Sequence, residues 1–345
     1  MYSRSRLGSA PSRPTAQPGK VAVSATVRIE DDGTVQFLDT NGQPLSDYLT
    51  TLAKRQQGAK IRDKLAEVSE QINAKVEALG KIHHFTPPPD ESPTRPRRAF
   101  EKEPPAPPVV RKIGLLVRLL RKRAEVEAKN AENEQRFASE LSEWKREKAV
   151  FESLEDEESK KFDQQLRTDT EFMQQLLEGT LHDIEWPRET LVSFEVQDAG
   201  KAVALDVDLP EIEDLPTRVT TVPERGYKLN VKYLKGKALQ ELYARHVHGI
   251  GFRIIGEVFA TLPTVDEVTL SAFTQRDAPA TGQREDAYIY SVQVKRGDWT
   301  RINFKKLASV DVVAAFEPFT LRRKIGRSGA FEAIVPLGAG KPKAQ

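Results

Sequence analysis

The chain has 345 residues, of which 38% are hydrophobic and 30% are charged, and its net charge is only +2. This composition favours compact parts joined by solvated helices or linkers, and the small net charge excludes the global basic field of a protein that coats DNA. The lack of cysteine excludes disulfides, thiolate zinc sites and cysteine nucleophiles, and without a long apolar run or a secretory signal we expect a cytoplasmic protein.

The N-terminal part is predicted to be a disordered lead-in, residues 1–19, followed by a small ββα module, residues 20–84. Apolar residues alternate with polar ones on both sides of an Asp-Asp-Gly turn, which predicts a β-hairpin. Between residues 61 and 79 the apolar residues recur every three or four positions, which predicts an amphipathic helix ending at Gly80.

Residues 85–112 are rich in proline, which lacks the backbone N–H and disfavours helical geometry in the residue before it, so they are predicted to form an extended linker. The overlapping stretch Arg111–Arg123 has six basic residues and no acidic one. Three interpretations stay open for it: a solvated helix face, a nucleic-acid contact, or an amphipathic segment on an acidic membrane.

Residues 113–186 are predicted to be a helical or coiled-coil region. Their apolar residues keep a heptad-like spacing, at Phe137, Leu141, Trp144, Phe151 and Leu154 and again at Phe162, Leu166, Met173, Leu177 and Ile184. Residues 155–161 between these sets are polar, so one long rod and two antiparallel helices both fit, and the lack of Gly and Pro favours the rod. A rod with so few apolar positions needs a partner helix, which predicts self-association through this region.

Residues 187–338 are predicted to form a C-terminal α/β domain, followed by a tail, residues 339–345. Two turn signals, around Asp198 and Gly226, predict two hairpins at its start. A broad apolar helix from about Gly236 to Pro263, two returning strands, short helices and a last strand complete the expected pattern.

One strand of this domain, within residues 285–296, ends in Gln293-Val-Lys295. A helix that leads into a two-stranded hairpin and then a second helix is the core arrangement of the restriction-endonuclease fold. There an acidic residue holds Mg²⁺, a Glu or Gln on the next strand orients water, and a Lys two residues later on the same face stabilises the phosphorane. The candidates are Gln293, Lys295 and Glu257 for catalysis and one of Asp266, Asp277 and Asp286 for the metal.

Four basic residues would flank such a site and contact nucleic acid or another anion: Arg296, Arg322, Arg323 and Lys324. An edge strand facing water would show the same alternation, and Gln-x-Lys is a common sequence. An active nuclease, an inactive relative of that fold and an unrelated α/β module all fit the residues.

Three stretches, GTVQFLDTNGQPL, LGKIHHFTPPPD and YARHVHGIGFRIIGEVFATLP, resemble a bacterial family known by a domain-of-unknown-function label. Members of that family carry a small Gly-rich N-terminal β domain, which the resemblance leads us to expect is missing here, followed by a helical linker and a C-terminal α/β domain. The resemblance implies a bacterial, cytoplasmic lineage with Tyr2–Leu7 as the remnant of that domain, and it implies no activity or catalytic residue.

The sequence therefore predicts an α+β protein. One interpretation is that its C-terminal domain is related to the restriction-endonuclease-like fold. The first hypothesis for function is a non-enzymatic interaction or scaffold protein that dimerises through its helical region. The alternatives are a Mg²⁺-dependent nuclease or nucleic-acid-binding protein and, third, a peripheral membrane protein.

Overall fold

The structure is a computed structural model that describes residues 26–30, 32–111, 123–277 and 282–338. It is a mixture of helix and sheet, as predicted. Its helices and strands are, in chain order, β1 (Thr26–Ile29), β2 (Val35–Leu38), α1 (Asp47–Lys81), α2 (Arg123–Thr168), α3 (Thr170–His182), β3 (Leu191–Gln197), β4 (Ala202–Asp208), β5 (Arg218–Thr221), β6 (Asn230–Tyr233), α4 (Gly236–Thr261), β7 (Glu267–Asp277), β8 (Arg284–Lys295), α5 (Arg296–Trp299), β9 (Thr320–Ile325) and β10 (Phe331–Glu332).

The chain divides into two compact units, Met1–Glu77 with Pro216–Lys235, and Ala78–Leu215 with Gly236–Gln345. The predicted lead-in, residues 1–19, and the tail, residues 339–345, lie outside the described residues. Within the described ranges, no helix combines the length and the apolar character needed to cross a membrane.

The first unit contains the predicted hairpin, in which β1 and β2 are antiparallel, and the start of the predicted helix α1. Its core consists of five buried residues: Phe37, Ala53, Ile61, Leu65 and Leu229. Gly33 turns the hairpin at a φ of +81°, and a Cβ there would lie 2.3 Å from the Leu229 carbonyl oxygen. Glycine is therefore required both for the turn and for this close approach.

The antiparallel hairpin β5–β6 belongs to this first unit, although the sequence boundary at residue 187 grouped it with the C-terminal domain. Thr220 donates through Oγ1 to the Ser69 hydroxyl at 3.0 Å, and its backbone N–H donates to Asn73 Oδ1 at 2.8 Å. Leu229, just before β6, completes the apolar core. Long-range contacts of this kind decide where a recognisable hairpin packs.

The second unit contains a six-stranded sheet in the order β10-β9-β8-β7-β4-β3. Its neighbours are antiparallel except β4 and β7, which are parallel and joined through α4. The predicted β3–β4 hairpin is confirmed. Helix α4 lies against the sheet: Tyr290 on β8 donates to the Val247 carbonyl at 2.9 Å, and a Cβ at Gly251 would lie 2.2 Å from the Tyr290 oxygen.

Helix α2 forms a long arm of 46 residues within the second unit. It passes without a break through residues 155–161, so no hairpin turn lies there, but it ends at Thr168 and α3 follows, so the predicted single rod does not extend to residue 186. At a rise of 1.5 Å per residue it is about 69 Å long. Asp169 ends it and caps α3, where its side chain accepts from the Phe172 N–H at 3.1 Å. The buried residues on α2 are Glu155 and Leu166.

Candidate functional site

The predicted catalytic strand residues lie at the end of β8, next to the start of β7. Gln293 donates through Nε2 to Glu267 Oε1 at 2.7 Å, and the exposed Lys295 is the cross-strand neighbour of Glu267. Glu267 was not among the predicted site residues. The hairpin register could have identified Glu267 from the sequence. Pairing β7 with β8 around the turn near Gly282 places Glu267 opposite Lys295.

The other members of the predicted nuclease site do not join this group. Asp266 is 71% exposed and lies 3.7 Å from Lys201. Asp277 is at the opposite end of the 11-residue strand β7, about 33 Å from Glu267 at the usual rise per residue. Asp286 lies near that same end, on β8 opposite Gln275. The three metal candidates are thus spread along the hairpin.

Glu257 lies on α4 and forms an ion pair with Arg253 at 2.5 Å. Burial raises the pKa of Glu257, and the charge of Arg253 opposes that rise. Across the described ranges, no group of three or more His, Asp or Glu side chains is placed to hold a metal ion. The side-chain N–H of Gln293, and not its oxygen, faces Glu267. Mg²⁺ takes oxygen ligands, so these side chains as placed do not fit Mg²⁺.

Arg296, predicted as an anion contact, instead closes the C-terminal end of α4. Its guanidinium donates to four carbonyl oxygens, those of Val265 at 2.6 Å, Leu262 at 2.7 Å, Pro89 at 2.9 Å and Phe259 at 3.0 Å. A cation is favourable at a helix C-terminus, where the last carbonyls lack partners within the helix. The Arg296 side chain therefore stabilises the fold.

Arg323 donates to His248 Nε2 at 2.9 Å and to the Val313 carbonyl at 3.0 Å. Burial lowers the pKa of His248 to about 3, so this imidazole is neutral and can accept. Arg322 donates to the carbonyls of Val335 and Pro336, at 3.3 and 3.1 Å. The β9 arginines thus have partners within the protein, and Lys324 pairs with Glu332 at 2.5 Å.

A cleft of about 750 Å³ lies at the carboxyl ends of the parallel strands β4 and β7. Burial and the nearby charge of Asp286 raise the pKa of Asp208 in this cleft. Gln275 donates to Asp208 at 3.1 Å, and Arg284 lies 3.4 Å from Gln275 Oε1 and 3.9 Å from Glu211. Asp208, Gln275, Arg284 and Glu211 thus form a connected polar group in the cleft.

The arm carries a second, better-defined site. Residues 95–111 of the proline-rich region, which we call the strap, run along α2 in extended conformation and antiparallel to it. Between Arg98 and Arg111 the strap advances 13 residues while its contacts on α2 move 25 residues, from Glu155 to Asn130. A polyproline II rise of 3.1 Å covers about 40 Å over those strap residues, and a helical rise of 1.5 Å covers about 38 Å on α2. The two lengths match, so the strap follows α2 without slack.

Glu155 is the electrostatic centre of the strap contact. Its side chain is 3% exposed, and the hydrogen-bond partners of its carboxylate belong to the strap. It accepts from Arg98 through the backbone N–H at 3.1 Å and the guanidinium at 2.6 and 2.8 Å, and from Arg95 at 2.9 Å. These hydrogen bonds from Arg98 and Arg95 lower the pKa of Glu155 to about 2. Arg97 pairs with Asp156 at 2.6 Å alongside.

Aromatic packing continues the contact toward the N-terminal half of α2. The Phe100 ring lies 5.5 Å from Phe151 and 5.9 Å from Trp144, centroid to centroid. The Trp144 indole N–H donates to the Lys102 carbonyl at 2.7 Å, and the Lys102 ammonium pairs with Glu147. Ion pairs thus fix the N-terminal end of the strap, ring packing fixes Phe100, and hydrogen bonds between Arg111 and Asn130 fix its C-terminal end.

The strap lies over the heptad-like stripe that the sequence analysis assigned to a partner helix. Four residues of that stripe are half-buried in the structure: Phe137, Leu141, Trp144 and Phe151. Leu154, which belongs to the same predicted series, is 54% exposed, and Val150 is 56% exposed, because both lie beside the strap rather than under it.

Of the basic stretch Arg111–Arg123, residues 112–122 lie outside the described residues.

Scans against protein-family models, curated proteins and solved structures found no significant match to this chain. The resemblance to a bacterial family of unknown function therefore stays a prediction.

Proposed function

We propose that the protein is a non-enzymatic, cytoplasmic interaction protein that works through its helical arm and self-associates there in coiled-coil fashion. The observation that carries this proposal is the exposure of α2: of its 46 residues, Glu155 and Leu166 are buried. A helix about 69 Å long whose residues outside the strap contact are mostly exposed is suited to holding partners.

The surface for a second copy is the part of α2 beside the strap. Val150 and Leu154 are 56% and 54% exposed and lie one helical turn apart, on one face. In a two-fold dimer each pair meets the pair of the other chain. These four side chains are already about half-buried, so covering the rest of their surface contributes about 3–6 kcal/mol, against an association cost of about 4–15 kcal/mol. We therefore expect a weak dimer that depends on protein concentration.

Sedimentation velocity across a range of protein concentrations tests this proposal. The wild type should shift from monomer to dimer, and the variant Val150→Glu with Leu154→Glu should stay monomeric because charges would be buried at the contact. The matched control is Ala149→Glu with Ser153→Glu, which adds the same charges at exposed positions one residue earlier. A wild type that stays monomeric at every concentration, or equal loss of dimer in both variants, would contradict self-association through this face.

A further inference from the structure

We infer that the strap side of α2 is a binding site for an extended Arg/Pro-rich segment of a partner protein, filled in this chain by its own strap. This inference deepens the proposed function, since it names the partner class of the same arm. It concerns a different face of α2 from the Val150 and Leu154 surface, so the two can fail separately.

The α2 side of the contact has the features of a peptide-binding surface. Three carboxylates receive the cations of the strap: Glu147, Glu155 and Asp156. Glu155 is only 3% exposed and accepts from two arginines, which gives planar, multivalent recognition that a lysine would not reproduce. Trp144 and Phe151 form an aromatic platform beside this carboxylate.

The strap has the features of the matching ligand. Its contacts follow a pattern of Arg95, Arg98, Phe100 and Lys102, and prolines at 104, 105, 107 and 108 follow it. Proline-rich segments are extended before binding and lose little conformational entropy when they dock on aromatic surfaces. The bound backbone needs few partners: the Arg98 N–H donates to Glu155 and the Arg111 N–H to Asn130 at 3.0 Å. A foreign segment with this pattern can make the same contacts.

Covalent tethering explains how the site would be controlled. A segment held next to its own site has an effective concentration in the millimolar range, so a free competitor at micromolar concentration does not displace it. The wild-type site is therefore self-blocked. Partner binding requires either a segment with stronger contacts or an event that loosens the strap.

The experiment uses a fluorescently labelled peptide of residues 93–111 as the probe and full-length chains as receptors. In one receptor the strap is disabled by Arg95→Ala, Arg98→Ala and Phe100→Ala, which leaves every α2 residue intact. A second receptor adds Trp144→Ala to these changes, which removes the indole of the aromatic platform and leaves Phe151 in place. Fluorescence anisotropy measures peptide binding, and circular dichroism measures the helix content of each chain.

We expect the strap-disabled chain to bind the peptide roughly 100-fold or more tightly than the wild type does, because tethering no longer competes. Addition of Trp144→Ala should remove that gain, and a peptide with alanine at positions 95, 98 and 100 should not bind. The single variant Phe100→Ala, which disturbs the chain less, should show an intermediate gain. Equal binding by all receptors, or no binding by a strap-disabled chain of wild-type helix content, overturns the inference.

Discussion

Phe100 holds the centre of the strap, and its removal is the sharpest perturbation of the arm. The substitution Phe100→Ala deletes two ring contacts, to Phe151 at 5.5 Å and to Trp144 at 5.9 Å. Each aromatic pair contributes about 0.5–1.5 kcal/mol beyond area burial, so the loss is about 1–3 kcal/mol. At 1.4 kcal/mol per tenfold change, the open-strap population should rise roughly 5- to 140-fold.

Limited trypsin digestion measures this opening, because the strap offers cleavage sites after Arg98 and Lys102 that must leave α2 to enter a protease. When opening is fast relative to cleavage, the cleavage rate follows the open population. We expect the rate in Phe100→Ala to rise by the same roughly 5- to 140-fold factor as that population. The control is Val109→Ala in the same strap, since Val109 is 84% exposed and its loss should leave the rate unchanged.

The substitution could also change how trypsin recognises the nearby sites. The free peptide of residues 93–111 and its Phe100→Ala form control for this effect, and their cleavage rates should be equal. If the full-length Phe100→Ala chain is cut no faster than Val109→Ala, the strap is not held by ring packing and the account of the arm is wrong.

Four further predictions follow from the described contacts. The folded-state pKa of Glu155 is lowered from 4.5 to about 2. The stability difference between wild type and Glu155→Gln should therefore be constant above pH 4.5 and shrink as the pH falls toward 2. Thermal unfolding at a series of pH values measures this difference. Arg296→Ala should destabilise the chain by about 2–4 kcal/mol in urea unfolding, since four carbonyls lose a charged donor, and an unchanged midpoint would refute its role at the end of α4. Gly251→Ala should cost about 1–3 kcal/mol by overpacking against Tyr290, whereas Gly179→Ala, which meets no atom within 4 Å, should gain about 0.5–1 kcal/mol. Plasmid cleavage with Mg²⁺ or Mn²⁺ should be the same for wild type and Lys295→Ala, and cleavage lost in the variant would revive the nuclease hypothesis.

Local patterns in the sequence predicted most of the elements. The turn glycines 33, 200 and 226, each with positive φ, mark three of the hairpins, and the lack of Gly and Pro near residues 155–161 correctly indicated an unbroken helix through those residues. These features depend on neighbours within a few residues, so periodicity and turn chemistry report them.

The site on the arm was not predicted, because its two sides are 19 to 60 residues apart in the chain. Proline content indicates that residues 95–111 are extended, and it does not indicate what they lie on. The heptad-like stripe around Trp144 indicates a covered helix face, and it does not indicate whether the cover is another chain or the same one. The β5–β6 hairpin shows the same limit: its turn was recognisable, but its position in the first unit depends on Leu229 and Thr220.

The most direct test of the strapped arm is an engineered disulfide, which is clean because the chain has no cysteine of its own. Two hydrogen bonds between the Arg111 backbone and the Asn130 side chain, at 3.0 and 3.1 Å, bring these residues into contact, so the two cysteines are placed there. We expect Arg111→Cys with Asn130→Cys to oxidise rapidly to an intramolecular disulfide in the monomer. The control, Arg111→Cys with Glu132→Cys, places the second thiol on another side of α2 and should oxidise slowly. Cross-links that form between chains, or equal rates in the two pairs, would contradict a strap held on its own arm.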